Sequence, residues 1–358
     1  MVAMTIRSET MPGPIALFGS GETSPAAQRI HHDVMSRLSP PVRPVIIETP
    51  AGFEPNSEMV ARKIADYLEL RLQNFHPQTE LVPARRRGTE FSPDDPMLAE
   101  PIFRGNYIFM GPGSPTYAVR QLQGSYTWQA MMACHRLGAA ICFSSAATIA
   151  ISKHALPVYE IYKVGEDLHW KEGLDFFSRF GLDLLVTPHW NNNDGGDELD
   201  TSRCYLGQER YEKSLALLPV LPIVLGIEEN TGVVIDPVTR LCHVVGVGQV
   251  IVRRDGQETH HPAGSAFSVA VLGDWHLPRA NEGIPEKVWT RAREAQRAPD
   301  QADIAVPAQV QQLVAERESA RARRDWSTAD LLRDELLAQG WQIEDTSDGP
   351  NLVRLEPE

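Results

Sequence analysis

The chain has 358 residues, enough for one large core and a smaller attachment. Its 42% hydrophobic and 23% charged residues are those of a globular protein, and no apolar run approaches the roughly 18 residues of a membrane span. The formal net charge of −13 argues against nucleic-acid binding by bulk electrostatics and leaves room only for a local basic site. Four cysteines stand in no metal-like spacing, and the opening MVAMTIRSETMPGP has neither a long apolar stretch nor a small-residue cleavage site. The expectation is a cytoplasmic protein with no metal, no cofactor and no membrane partner.

In chain order, residues 14–18 (PIALF) read as a strand ending in Gly19-Ser20-Gly21. A helix follows from Pro25 to Leu38, then a strand from Val42 to Glu48 and a helix from Asn56 to Leu72, where Met59, Ile64 and Leu68 recur at helical spacing. A weak strand at 80–83 precedes a charged loop. Residues 106–110 then run into the turn GPGSP, and two helices lead to the strand 139–143. Short apolar strands alternating with helices predict an α/β fold, a parallel sheet sandwiched by helices, with ligands bound beyond the carboxyl ends of the strands. From 221 to 271 six short strands follow one another, with Asp236-Pro237 and Asp255-Gly256 as hairpin signals, predicting an antiparallel extension of the same domain. Four prolines between 276 and 308, around one short charged helix, read as a linker.

Three loops fall where catalytic loops belong. Ser144-Ser145-Ala146 follows an apolar strand and opens a helix; a nucleophile at such an elbow needs small neighbours so that backbone N–H groups can reach an oxyanion. Either serine fits the position, and a helix-capping role is the bland alternative. Gly111-Pro112-Gly113-Ser114 offers N–H groups at a strand end, as an oxyanion hole requires. His189, just past the strand 184–186, is placed as a general base. His31, His32, His260 and His261 lie in stretches that suggest surface roles. Cys142 reads most simply as a small buried hydrophobe, with an amidotransferase-like nucleophile as its alternative.

The order of these segments resembles the dipeptidase E/cyanophycinase family of serine hydrolases, which has a class I glutamine amidotransferase-like fold. SSAATIAI at 144–151 is similar to that family's nucleophile segment, GPGSPTYAV at 111–119 to its glycine-rich turn and PHWNN at 188–192 to its histidine loop. Gly207-Gln208-Glu209-Arg210 and GIEENTGVVID at 226–236 match two further motifs, so the likeness covers residues 13–275. It implies Ser144 as nucleophile, His189 as base and Glu160, with Glu166 and Asp167 as alternatives, as the carboxylate orienting it, and Gly113 and Ser145 N–H groups as the oxyanion hole. Arg203 and Arg210, seven apart on a helix expected from Ser202, would hold a substrate carboxylate with Asn191 nearby. The implied activity is cleavage of an amide bond in a small, acidic peptide. The family glycine two places after the serine is Ala146 here, which leaves a catalytically silent binding protein as the alternative.

Residues 309–358 read as two helices, the second capped by Ser327, and a β-hairpin turning at Asp348-Gly349. The string RESARARRDWSTADLLRDELLAQGWQIEDTSDGP resembles the C-terminal end of bacterial cysteinyl-tRNA synthetase, without that enzyme's catalytic signatures. The resemblance implies tRNA as a partner. Against it, residues 305–358 hold six arginines, no lysine and eleven acidic side chains. A protein partner fits this small module equally, and oligomerisation is left open.

Overall fold

A computed structural model describes residues 11–297, 308–346 and 349–354; Pro299, Pro307 and Asp348 of the expected linker and final turn lie outside these. The chain divides into two compact units, Met1–Gln296 and Arg297–Glu358.

In the first unit, β1 (Ile15–Phe18), β2 (Pro44–Ile47), β3 (Glu80–Val82), β4 (Tyr107–Met110) and β5 (Ala140–Ser144) lie parallel in the order β1-β5-β4-β2-β3. Successive strand residues point to opposite faces, which explains why these runs are apolar throughout. Ile15, Leu17, Ile141 and Phe143 enter one core cluster, Ala16, Phe18, Ala140 and Cys142 the other. Helices α1 (Ala27–Met35) and α2 (Ser57–Arg71) cover the second face with Ile30, Val34, Ile64 and Leu68. Met59 is 64% exposed, because Ala61, Ile64, Ala65 and Leu68 form the inward stripe instead. His31 is not a surface residue: it is fully buried between Tyr107 and the backbone of Glu22. On the first face, α3 (Pro96–Arg104) and α5 (Tyr126–Arg136) pack Ile102, Phe103 and Met131, with α4 (Pro115–Leu122) between them in sequence.

After α6 (Ala146–Ala150) and the two-residue strands β6 (His154–Ala155) and β7 (Lys171–Glu172), the chain forms β8 (Leu184–Thr187), α7 (Gln208–Leu215) and β9 (Ile223–Ile227). Then come β10 (Thr231–Asp236), β11 (Leu241–Gly246), β12 (Gln249–Arg254), β13 (Gln257–Pro262) and β14 (Ala266–Ser268). From β8 on these strands stand where the sequence placed them, except that the last ends at Ser268 and a 3-10 turn, Val269–Leu272, takes its place; but they do not form one extension. β10, β11 and β14 continue the large sheet antiparallel beyond β1, whereas β13-β12-β9-β8 make a second sheet of four, in which β8 and β9 are parallel. The chain changes sheets in the three residues between β9 and β10, where Asn230 takes a φ of 56°, a left-handed conformation that asparagine tolerates. Asp255 and Gly256, at φ 51° and 76°, form the expected tight turn between β12 and β13.

The segment read as a linker contains α8 (Glu286–Arg297), which belongs to the first unit. Val288, Trp289 and Ala292 join its core, and Arg291 pairs with Glu100. Periodicity hides this because the buried face is narrow on a strongly charged helix. The second unit holds α9 (Ala308–Ala322), α10 (Trp326–Ala338) and the hairpin β15 (Trp341–Thr346) and β16 (Gly349–Arg354). Val310, Leu313, Leu336, Trp341 and Ile343 form its own core. Asp325, not Ser327, caps α10, accepting from the Thr328 N–H at 3.2 Å. Arg317 is 5% exposed and paired with Glu318. Among the described residues no helix is long and apolar enough to cross a membrane, and no group of three His, Cys, Asp or Glu side chains could hold a metal ion.

Candidate active site

The first of the two serines ends β5 and is fully buried; its hydroxyl donates to Glu22 Oε2 at 2.8 Å, away from any histidine. Ser145 follows at φ 52° and ψ −113°, a conformation that costs a non-glycine residue about 1–3 kcal/mol and recurs where a nucleophile is held out from a strand end. Its Oγ lies 2.9 Å from His189 Nε2. The contact expected of Ser144 is thus made by Ser145, because the backbone reverses at the second serine. The frame moves by one, so the family glycine falls at Ala147 rather than Ala146.

His189 stands two residues past β8. Its N–H donates to the Gly19 carbonyl at 3.1 Å and its Nδ1 lies 2.8 Å from Glu229 Oε1. A carboxylate only accepts, so Nδ1 carries the proton and Nε2 is left to accept from Ser145. Glu229 also accepts from Asn192 Nδ2 at 2.9 Å, and its N–H donates to Asn191 Oδ1 at 2.8 Å. The bond to His189, reinforced by Asn192, holds the Glu229 carboxyl below its ordinary value against the opposing effect of burial.

Glu160 does not reach the histidine. It sits on a π-helical turn, and its Oε1 accepts from Thr116 Oγ1 at 2.5 Å. Glu229 went unnoticed in the sequence because 221–226 reads as part of an antiparallel run. The signal lay in strand adjacency: β8 and β9 are parallel neighbours, so the residues two past each strand end, His189 and Glu229, emerge side by side.

Gly113 has φ 145°, and a Cβ there would lie 2.0 Å from the Pro50 carbonyl oxygen, so only glycine fits. Ser114 accepts from the Tyr117 N–H and caps α4. The Ser145 N–H points at the Phe18 carbonyl, 3.4 Å away, and is not open to an oxyanion; the next N–H, of Ala146, starts α6 beside the same cavity as Gly113. That cavity, of about 470 Å³, has Ser145 and His189 in its wall.

Neither arginine expected to bind substrate faces it. Arg203 precedes α7, in a run of three left-handed residues with Cys204 and Tyr205. Its guanidinium lies 3.9 Å above the Trp190 ring and donates to the Trp190 carbonyl. Arg210 donates to the carbonyls of Leu206 and Tyr205. The helix begins at Gln208 rather than Ser202, so the two share no face. Asn191 acts on Glu229. Cys142 is fully buried within β5 with its thiol pushed up to about 12 by burial, which removes it as a nucleophile.

The first unit is an α/β fold with a strained serine at the end of β5. A solved peptidase from an acI-B1 actinobacterium shares this architecture with a TM-score of 0.58, covering 73% of this chain and 98% of its own, at 22% identity. At that identity the likeness is one of fold. For the tail, residues 303–349 match the model of the cysteinyl-tRNA ligase anticodon binding domain. The cysteine–tRNA ligase of Rubrobacter xylanophilus is 47% identical over 84 residues, 24% of this chain and 16% of that ligase. That of Chlamydia pneumoniae is 50% identical over 52 residues, 14% of this chain and 11% of the ligase. The chain therefore spans only a small part of these relatives. Both resemblances read from the motifs are met, the body's in its fold and the tail's in its sequence.

Proposed function

We propose that the main body is a serine-type hydrolase that cleaves an amide bond in a small peptide, with Ser145 as nucleophile, His189 as general base and Glu229 as the group that orients it. Ser145 Oγ attacks the carbonyl carbon while its proton passes to His189 Nε2. The imidazolium, stabilised by Glu229, then protonates the departing amine, and water resolves the acyl-enzyme by the same route in reverse. The N–H groups of Gly113 and Ala146 receive the developing oxyanion. The observation that carries this proposal is the unbroken line of contacts from the strained Ser145 through His189 to Glu229.

Intact-mass analysis after exposure to a fluorophosphonate tests it. Wild type and Ser144→Ala are expected to gain one adduct, and Ser145→Ala none. An unlabelled wild type, or an adduct that persists in Ser145→Ala, overturns the assignment and returns the body to a silent binding protein.

The match at residues 303–349 favours a second function, contact between the tail and tRNA. Filter retention of bulk tRNA by the full chain tests this. Retention is expected at about 50 mM salt and should weaken by about 200 mM; none at either concentration rules it out.

A further inference from the structure

The cavity at Ser145 has the wrong chemistry for an acidic side chain. Its wall beside the base is aromatic: the Tyr205 ring is 5.4 Å from that of His189, and the Tyr162 ring is 5.6 Å from that of Tyr205. Tyr159, Val158 and Ile149 complete the apolar surface. Asp194 also lines the cavity near Tyr205, placing a negative charge where an acidic substrate would have to bind. The cations that could offset it are engaged elsewhere, Arg203 on Trp190 and Arg210 on two backbone carbonyls. Among the described residues, the one cation in the wall, Lys163, is exposed and lies 4.8 Å over the Tyr162 ring. A substrate carboxylate buried here would lose its hydration without a matched fork of donors, whereas a ring would gain apolar burial and aromatic contacts.

We propose that this cavity selects an aromatic or bulky apolar side chain on the residue next to the scissile amide, in preference to an acidic one. The inference rests on the assignment of Ser145 as the reacting group, which fixes where the scissile bond lies. A volume of about 470 Å³ holds one such side chain together with the reacting amide.

Calorimetric titration of the full-length Ser145→Ala protein with Phe-Ala, Ala-Phe, Asp-Ala and Ala-Asp tests the selection without requiring turnover. At least one phenylalanine peptide is expected to bind about ten- to a hundredfold tighter than its aspartate counterpart. Tyr162→Ala in the same background should lose most of that preference, while Arg210→Lys should keep it. Equal or tighter binding of the aspartate peptides, no binding of any, or a preference untouched by Tyr162→Ala overturns the proposal. Fluorophosphonate labelling of the wild type separates the two claims. A phenylalanine preference without labelling removes the hydrolase and keeps the pocket, and labelling with an aspartate preference does the reverse.

Discussion

Replacing Glu229 with glutamine preserves the shape of the site and removes one charge. In the proposed attack His189 becomes a cation whose Nδ1 lies 2.8 Å from Glu229 Oε1. At that distance and an effective dielectric of about 20, unit charges attract by about 6 kcal/mol. The side chains are 13% and 29% exposed, so solvent screens part of this. Half the attraction, about 3 kcal/mol, already corresponds to about a hundredfold in rate. A glutamine amide can also donate to Nδ1, moving the imidazole proton to Nε2 and removing the base. Loss of a triad carboxylate by that route costs about 10⁴-fold. The second-order rate of fluorophosphonate labelling in Glu229→Gln is therefore expected to fall between about 10²- and 10⁴-fold, with little change in melting temperature. Glu160→Gln should fall by less than about tenfold, since Glu160 accepts from Thr116 and does not reach His189. Equal labelling of Glu229→Gln and wild type, or a larger loss in Glu160→Gln, would refute the reasoning.

Three further outcomes are expected. Burial lowers the His31 value from 6.5 to about 4, so the unfolded chain takes up a proton before the folded one; this contribution is whole above 6.5 and lost as pH falls towards 4. Stability should drop by about 2 kcal/mol between pH 7 and about pH 5 from this group alone, seen as a shift in urea midpoint that His31→Gln reduces. Glu22→Ala strands the buried Ser144 hydroxyl, with a loss of about 1–3 kcal/mol and slower labelling of the neighbouring Ser145; unchanged midpoint and labelling would remove Glu22 from any part in holding the elbow. Leu336→Ala, at a fully buried position in the tail's core, should cost that unit about 2–5 kcal/mol. Limited proteolysis should then cut within 297–358 while Ser145 labelling is retained.

Most strands were legible because they are short apolar runs closed by glycine or a turn, with boundaries that depend on neighbours in sequence; the polar β13 showed itself only through the Asp255-Gly256 turn before it. The division into two sheets was not, since it is set by which strand each one pairs with. That explains why His189 was found and Glu229 was not. The histidine follows a strand whose end is visible in the sequence, whereas the glutamate matters only because β9 pairs with β8. The two serines show the same limit at shorter range: composition locates the elbow, but the residue that turns outward depends on a backbone angle at Ser145. Arg203 and Arg210 were grouped by helical arithmetic that fails once the helix starts at Gln208 and their donors go to carbonyls.

Gly19 gains a different meaning from this geometry. It follows β1, the strand beside β5, its carbonyl receives the N–H of His189, and a Cβ there would lie 2.1 Å from the Glu228 oxygen. Ser145 comes from one sheet and His189 and Glu229 from the other, so the distances between them are set by how closely the sheets are seated at this bare backbone. Any side chain at position 19 would act as a shim against this backbone, parting Ser145 from His189.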